Sequence, residues 1–554
     1  MIWNVFFMFG GVAAMMIGMK FMGSALEQVA GGGMKKMLGK ITNNRLAGVG
    51  VGLAVTSIIQ SSTATTVMLV GFVNIGLLSL TQATNVIMGA NIGTTITAHI
   101  VSLSGVGNID IGAIAAMIGC VGILLSMLVK KEKVQNIGNI LAGLGLIFVG
   151  LEFISTYATE IMFIDGNKDN PHEWVKIIFQ GDHFPLLLVI IGIVLTAMVH
   201  SSSTITSLMV VLASIEVLPF GNALFLALGS NIGTCITSIL SSVGTNVNAK
   251  RTALVHLFFN LFGCLLFIGP LWIFSKEIVG FFASISSDVG QQIAVFHTLF
   301  NVCATIILLP VSHLVVKLVC KIIPDKQIED DREEYKFKYI DNRLLSTPPI
   351  AVGNIKREII RMSEFARENI NLSIEMLVNN KAENEEIIRK NEDIINHFNK
   401  NITAYLMKLM SKELSDEDDK KVGSYYHVVS DVERVGDYAE NIMEYAIRLE
   451  QESLVISAEA KEELENLKAK VNELYDYSIT AFNDRSPELL GKVSEVEEEI
   501  DDIAVVLEGK HIERVKKGQC NAQVGSVYLQ TVSNLERVAD HIFNIAKSIK
   551  QYCK

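Results

Sequence analysis

TSIIQSSTATT (Thr56 to Thr66), followed by GANIGTTIT (Gly89 to Thr97), decides how this chain is read, because both stretches return 140 residues later as TAMVHSSSTIT (Thr196 to Thr206) and GSNIGTCIT (Gly229 to Thr237). Eleven of the twenty positions are identical and no insertion interrupts the spacing, where unrelated segments would share about one, so the repeat is an internal duplication. Both copies sit in long apolar runs. Hydroxyl and amide side chains are costly in a bilayer unless something binds them. Two polar clusters, one per repeat, suit a chain whose site lies where its repeats meet.

Charge divides the 554 residues. Up to Lys321 there are 15 Lys/Arg and 12 Asp/Glu, against 32 and 46 in the remainder, so a sparsely charged part near +3 precedes a dense one near −14. The apolar runs of the first part approach the ~20 residues that cross a bilayer core. The first of them, Ile2 to Leu26, continues into Gly31-Gly32-Gly33 without a charged start and reads as a membrane helix, not a cleaved signal. The seven cysteines form no CxxC and most lie in apolar runs, which predicts neither disulfides nor a cysteine-ligated metal.

Loop charge supplies an expected topology. Basic residues gather at Lys35, Lys36, Lys40 and Arg45, at Lys130, Lys131 and Lys133, at Lys250 and Arg251, and at Lys317 and Lys321. The positive-inside rule puts all four groups on the cytoplasmic side and the Glu160 to Asp182 stretch outside. That works only if Leu46 to Leu80 and Phe184 to Phe220, which carry the serine clusters, turn back as re-entrant helical hairpins. The crossings are then Ile2 to Leu26, Gln82 to Leu103, Ile111 to Val129, Ile137 to Tyr157, Asn222 to Val243, Thr252 to Phe274 and Ile293 to Cys320. The expected fold is all-α: a polytopic transporter domain (1–323) with inverted-topology repeats at about 1–130 and 137–275 and an extra helix at 293–320.

The polar clusters suggest what is carried. Ser61, Ser62 and Thr63, and Ser201, Ser202 and Ser203, offer hydroxyl donors together with the N–H groups of a following helix start, an arrangement that favours an anion such as phosphate. No Lys or Arg lies near either cluster, and a site neutral by itself can still hold an oxyanion if cations travel with it. Oxygens of Gln60, Thr65, Thr66, Asn91, Thr94, Thr204, Thr206, Asn231 and Thr234 suit a hard cation such as sodium. Small residues that merely let helices pack closely are the competing explanation for one such cluster. For two clusters in register, each with a paired NIGT, ligand binding is the stronger reading. His256 with Asn260, and His297 with Asn301, lie four apart on helix faces, where interhelical hydrogen bonding is expected.

At these residues the sequence resembles the sodium/phosphate cotransporter family, the bacterial relatives of the type II cotransporters, over roughly residues 1 to 320. The resemblance implies that the two serine-rich turns, Gln60 to Thr66 and His200 to Thr206, face each other and form the phosphate and sodium sites. His200 stands where the family usually has a glutamine, which brings a pH-sensitive group into the cation set.

The acidic part is expected to be a separate helical domain at 354–554, after a linker at 324–353 that holds EDDREE (Glu329 to Glu334) and Pro348-Pro349. From Ile355 onward, apolar residues at helical spacing alternate with Glu and Lys. DVERVGDYAENI (Asp431 to Ile442) returns as NLERVADHIFNI (Asn534 to Ile545), so two three-helix bundles are predicted. The paired Glu433 and Asp437, and Glu536 and Asp540, lie one turn apart and repel unless solvated, paired or bridged by a cation. This region resembles the PhoU-like domain, which implies a divalent or iron-type metal at those four carboxylates and a role in phosphate regulation. A solvated or partner-docking face is the alternative.

The expectation is therefore a sodium-dependent phosphate importer of the plasma or inner membrane with a cytoplasmic regulatory domain. The other reading is a membrane-anchored phosphate sensor that acts through the helical domain. Its partners would be phosphate, sodium and the lipid bilayer, with a homodimer or a cytoplasmic regulatory protein left open. No required cofactor and no enzymatic motif is evident, and the acidic balance argues against nucleic acid.

Overall fold

The computed structural model describes residues 2–39, 44–103, 111–181, 183–325, 333–412 and 414–552. Lys40 of the first basic group and 326–332 of the expected linker lie outside them. The chain forms two compact units, Met1–Gln327 and Ile328–Lys554. Both are helical.

The first unit contains α1 (Ile2–Gly39), α2 (Arg45–Ile59), α3 (Ser62–Asn74), α4 (Leu80–Ser102), α5 (Ile111–Leu128), α6 (Glu132–Met162), the single turn α7 (Glu173–Val175), α8 (Pro185–Val199), α9 (Ser202–Ser214), α10 (Phe220–Ser241), α11 (Val247–Ile273), α12 (Ser275–Ile285), α13 (Val289–Leu308) and α14 (Ser312–Ile322). The bounds of α2 and α3 return 140 residues later as those of α8 and α9. Five helices, α1 over Ile2–Val29 with α6, α10, α11 and α13, are long and apolar enough to cross a membrane. Two other expected crossings are helical as α4 and α5 but miss that standard: α4 carries the Asn and Thr of the cassette, and α5 is short. Apolar side chains such as Phe6, Met117, Leu128 and Met198 are exposed along this unit, as surfaces that meet lipid tails would be.

Glycines set the helix contacts. A Cβ on Gly89 of α4 would stand 1.9 Å from the Val49 carbonyl oxygen of α2, and one on Gly52 of α2 would stand 2.0 Å from that of Val86. The second copy repeats this with Gly229 against Val189 at 2.0 Å and Gly192 against Leu226 at 2.3 Å. The α2–α4 and α8–α10 backbones therefore touch, as small-residue crossings allow. Each hairpin's second arm also leaves its own repeat: α3 packs on α10 and α11, while α9 packs on α4 and α13.

The expected crossing at Ile293 to Cys320 is instead two helices. Pro310 lacks the N–H that a continuing helix needs, and α13 stops at Leu308 before α14 begins at Ser312. The Arg45 guanidinium donates to carbonyls at this break, at 3.4 Å to Leu309 and 3.1 Å to Pro310. On α14, Val315 and Val319 are buried while Lys317 and Lys321 are exposed, an amphipathic pattern suited to an interface.

The second unit contains α15 (Pro348–Asn379), α16 (Glu385–Met410), α17 (Asp416–Gln451), α18 (Ala458–Asp484), α19 (Leu490–Lys516) and α20 (Ala522–Lys547), two three-helix sets joined through α15–α18 and α17–α20. The linker is shorter than expected. Pro348-Pro349 starts a helix where a break was expected, because proline's missing N–H costs nothing in a first turn. Residues ahead of it are packed: Leu344 is fully buried, Tyr405 Oη donates to the Asp341 carbonyl at 2.9 Å, and Tyr339 N–H donates to Glu358 Oε2 at 2.6 Å.

Replacing Gly89 or Gly229 with alanine should force the crossing helices apart and destabilise the first unit by about 1–3 kcal/mol or more. Gly50→Ala should be nearly silent, since nothing lies within 4 Å of a Cβ there. Thermal unfolding of detergent-solubilised variants checks both.

Candidate binding site

Both hairpin turns have one backbone design. α2 ends on Gln60 and α8 on His200, each at φ 57°, and the next residue is extended, Ser61 at φ −146° and Ser201 at φ −147°. Left-handed backbone at a residue other than glycine is uncommon. Here each amide donates back to a threonine carbonyl, Gln60 to Thr56 and His200 to Thr196, both at 2.8 Å. Ser61 and Ser201 then cap the outgoing helices: their Oγ atoms accept from Ala64 N–H at 3.1 Å and Thr204 N–H at 3.2 Å. The first N–H groups of a helix have no internal acceptor, so those of Ser62, Thr63, Ser202 and Ser203 remain at the turns.

The side chains of the two turn residues do the same job. Thr97 Oγ1 donates to Gln60 Oε1 at 2.9 Å, and His200 Nδ1 bonds Thr237 Oγ1 at 3.0 Å. A ring nitrogen thus replaces an amide oxygen without changing the partner. Thr97 and Thr237 were not among the expected site residues, although each closes its cassette. Below the turns the copies diverge. Buried Thr56 bonds Thr65 at 3.1 Å on the other arm. Ile205 stands where Thr65 would recur, and buried Thr196 donates to Ser230 at 2.8 Å, where the first copy has Ala90.

The turns meet. Thr63 Oγ1 donates to the His200 carbonyl at 3.5 Å, bringing together residues 137 apart in sequence. Ser62, Ser202 and Ser203 are buried beside that junction. The remaining expected cation-set residues fall into four groups. Thr65, Thr66 and Thr204 lie in the first turns of α3 and α9 and donate to Ser61 O, Thr63 O and Ser201 Oγ. Thr94 and Thr234 donate to Ala90 and Ser230 carbonyls of their own helices, which leaves oxygen lone pairs free. Thr206 Oγ1 and Asn91 Nδ2 are buried without a hydrogen-bond partner. Asn231 is turned toward α13, where its amide bonds His297 Nε2 and donates to Asn301 Oδ1, both at 3.0 Å. His256 likewise bonds Ser238 of α10 at 3.2 Å, so the His–Asn pairs tie helices together as expected.

In the second unit the four expected carboxylates fall in two places. Glu433 and Asp437 of α17 face Glu392 of α16, and burial, reinforced by Asp437, Glu440 and Glu433, pushes the Glu392 carboxyl up to about 8. Gly436 permits this approach, since a Cβ there would lie 2.7 Å from Glu392 Oε2. Glu536 and Asp540 of α20 face Asp501 and Glu497 of α19; burial and then mutual repulsion raise the carboxyls of Glu536, Glu497 and Asp501. Among the described residues no three His, Cys, Asp or Glu side chains converge as metal ligands. Glu392, Glu497 and Asp501 were missed, though Glu497/Asp501 repeats the four-residue spacing one helix earlier.

Unfolded, Glu392 titrates near 4.5, well below its folded value. Its contribution to stability is therefore full below about pH 4.5 and lost as the pH rises through about 8. The second unit should resist limited proteolysis better at pH 5.5 than at pH 8.5, and Glu392→Gln should abolish most of that difference.

Comparison with known proteins agrees with this architecture. A model described as Na+/Pi-cotransporter matches residues 14–156 and 172–290, and a PhoU domain model matches 359–446 and 464–549. An uncharacterised protein of Bacillus subtilis, YqeW, is 30% identical over 56% of this chain and 95% of its own length. A Salmonella typhimurium protein named "Putative inorganic phosphate export protein YjbB" is 25% identical over 78% of this chain and 76% of its own. The rat sodium-dependent phosphate transport protein 2A is 41% identical over 88 residues, 15% of this chain and 14% of its own. The PhoU of Pseudomonas aeruginosa covers 35% of this chain and 93% of its own at 20% identity, with a TM-score of 0.34, too low to bear on the fold. The duplicated serine turns and the duplicated helical bundle thus belong to a member of the Na+/Pi-cotransporter family that carries a PhoU domain.

Proposed function

We propose that this protein is a sodium-dependent phosphate symporter of the cell membrane, with its PhoU domain as a cytoplasmic regulator. The meeting of two serine-capped helix starts carries the reading, through the Thr63–His200 contact. Two sets of N–H groups and the hydroxyls of Ser61, Ser62, Thr63, Ser201, Ser202 and Ser203 then serve one anion from opposite repeats. Gln60, Thr65, Thr66, Asn91, Thr94, His200, Thr204, Thr206, Asn231 and Thr234 form the proposed sodium set. Of these, Asn231 would first have to leave α13. The cytoplasmic placement of the PhoU domain rests on the basic groups that flank the helices.

Neutral donors alone leave the charge of a phosphate dianion uncompensated. Moving it into a negative interior costs about 4.6 kcal/mol per 100 mV, twice the ~2.3 kcal/mol of a unit charge. Two sodium ions cancel that cost, and their inward gradient gives the import direction. The name of the Salmonella relative points to export. The same site serves either direction, so the measurement reads both.

In sealed vesicles, phosphate movement should require a sodium gradient, rise with sodium at a Hill coefficient above one, and run with the gradient when it is reversed. Hyperbolic sodium dependence with full activity in lithium would sink the coupling. Ser62→Ala and Ser202→Ala each remove a donor to a desolvated anion, worth ~1.5–3 kcal/mol, and should weaken phosphate affinity about tenfold or more. Near-normal uptake by well-inserted variants would remove these serines from the site.

A further inference from the structure

We propose that Glu27 of α1 is the anionic ligand of a coupling sodium ion, at a site beside the first hairpin turn. The inference rests on the symport reading and names a ligand outside both cassettes.

The apolar stretch Ile2–Val29 contains two charged residues, Lys20 and Glu27. Lys20 is exposed, and among the described residues no ion pair joins it to Glu27. Glu27 is partly buried, with Oε1 closed off from solvent and without a hydrogen-bond partner. Among the described residues of the first unit, it is the one carboxylate with an oxygen in that condition.

Its position follows from helix geometry. One face of α1, with Gly11, Met15, Gly18 and Met22, lies on α6: Cβ atoms on Gly11 and Gly18 would each stand 2.7 Å from carbonyl oxygens of Gly150 and Gly143. The neighbouring face lies on the end of α2. A Cβ on Gly23 would stand 2.8 Å from the Ile59 carbonyl oxygen and 3.9 Å from Gln60 Cβ. Glu27 is four residues on, one turn along the same face. The carboxylate therefore belongs to the side of α1 that abuts the first turn.

An ionised carboxylate in apolar surroundings needs a counter-charge. The hairpin and cassette helices of the first repeat, α2 to α4, carry one fixed cation, Arg45, and its guanidinium is engaged with the Leu309 and Pro310 carbonyls. At the start of α6, against which α1 packs, Lys131 and Lys133 are exposed and neither pairs with Glu27, so a small hard cation from solution, which takes oxygen ligands, supplies the counter-charge. Phosphate is repelled from this region until the cation is present, which orders binding: sodium first, phosphate second. At the 140-residue offset the second repeat has Asn167, beyond the end of α6, so this site has no counterpart there.

The test uses the full chain in lipid nanodiscs without phosphate, with sodium replaced stepwise by choline at constant ionic strength, and reads the thermal unfolding midpoint. Wild-type protein should be stabilised saturably by sodium. Loss of a charged ligand in Glu27→Gln should raise the sodium concentration at half effect about tenfold, whereas Glu27→Asp should stay within about threefold of wild type. In vesicles, Glu27→Gln should lower the sodium Hill coefficient. Superimposed sodium curves for wild type and Glu27→Gln would overturn the proposal. So would a midpoint that follows pH but not sodium and loses that response in Glu27→Gln, which would make the residue a proton site. Sodium binding lost in Glu27→Gln, in a protein that moves no phosphate, would leave the site standing and remove the symport reading.

Discussion

Everything in the first unit depends on ending a helix inside apolar surroundings without abandoning its backbone polar groups. An interrupted helix exposes carbonyls at one end and N–H groups at the other, and hydrocarbon offers nothing to bond either. At Gln60 and His200 the chain meets this constraint in two residues. A left-handed residue returns its N–H to the incoming helix, and an extended serine caps the outgoing one. What is left over is a small set of donors in a buried place. Those leftovers are the candidate site, so the feature that allows the break also creates the place to bind.

The two copies show which parts of this design can vary. Backbone angles agree within a degree or two at the turns, yet the turn residue is an amide in one copy and an imidazole in the other. Both reach a cassette threonine from the same place, so the hydrogen bond is retained and its chemistry is not. A buried threonine below each turn is satisfied from a different helix in each copy. The polar partner moves, and the requirement that buried polar atoms be paired does not. Such exchanges break the equivalence of two halves that share one turn design, as does Glu27, whose matching position in the second repeat is Asn167.

The PhoU domain meets an opposite constraint. Its helices are amphipathic and need no polar interior, yet each three-helix set brings carboxylates of neighbouring helices against one another. Gly436 brings α17 within reach of Glu392, and the second copy has Ala539 at the matching place. The first cluster is accordingly the tighter, with one carboxyl oxygen of Glu392 buried and unpaired.

The sequence by itself determined the duplication, the helical class, the two hairpins and the two bundles, because these follow from periodicity, apolar length and the identity of short motifs. Helix bounds repeated at an offset of 140 were legible as text. Tertiary structure decided what no local pattern encodes. Pro348 starts a helix while Pro310 interrupts one, since the outcome depends on which donor reaches the carbonyls at the break, and only the folded chain puts Arg45 beside Leu309 and Pro310. Asn231 looked equivalent to Asn91 but is claimed by α13, a helix outside the repeats. Glu433 and Asp437 could be paired with each other by spacing, whereas Glu392 joins them through packing across two helices. Contacts between residues far apart in sequence depend on which surfaces fit, and a one-dimensional spacing carries no record of that fit.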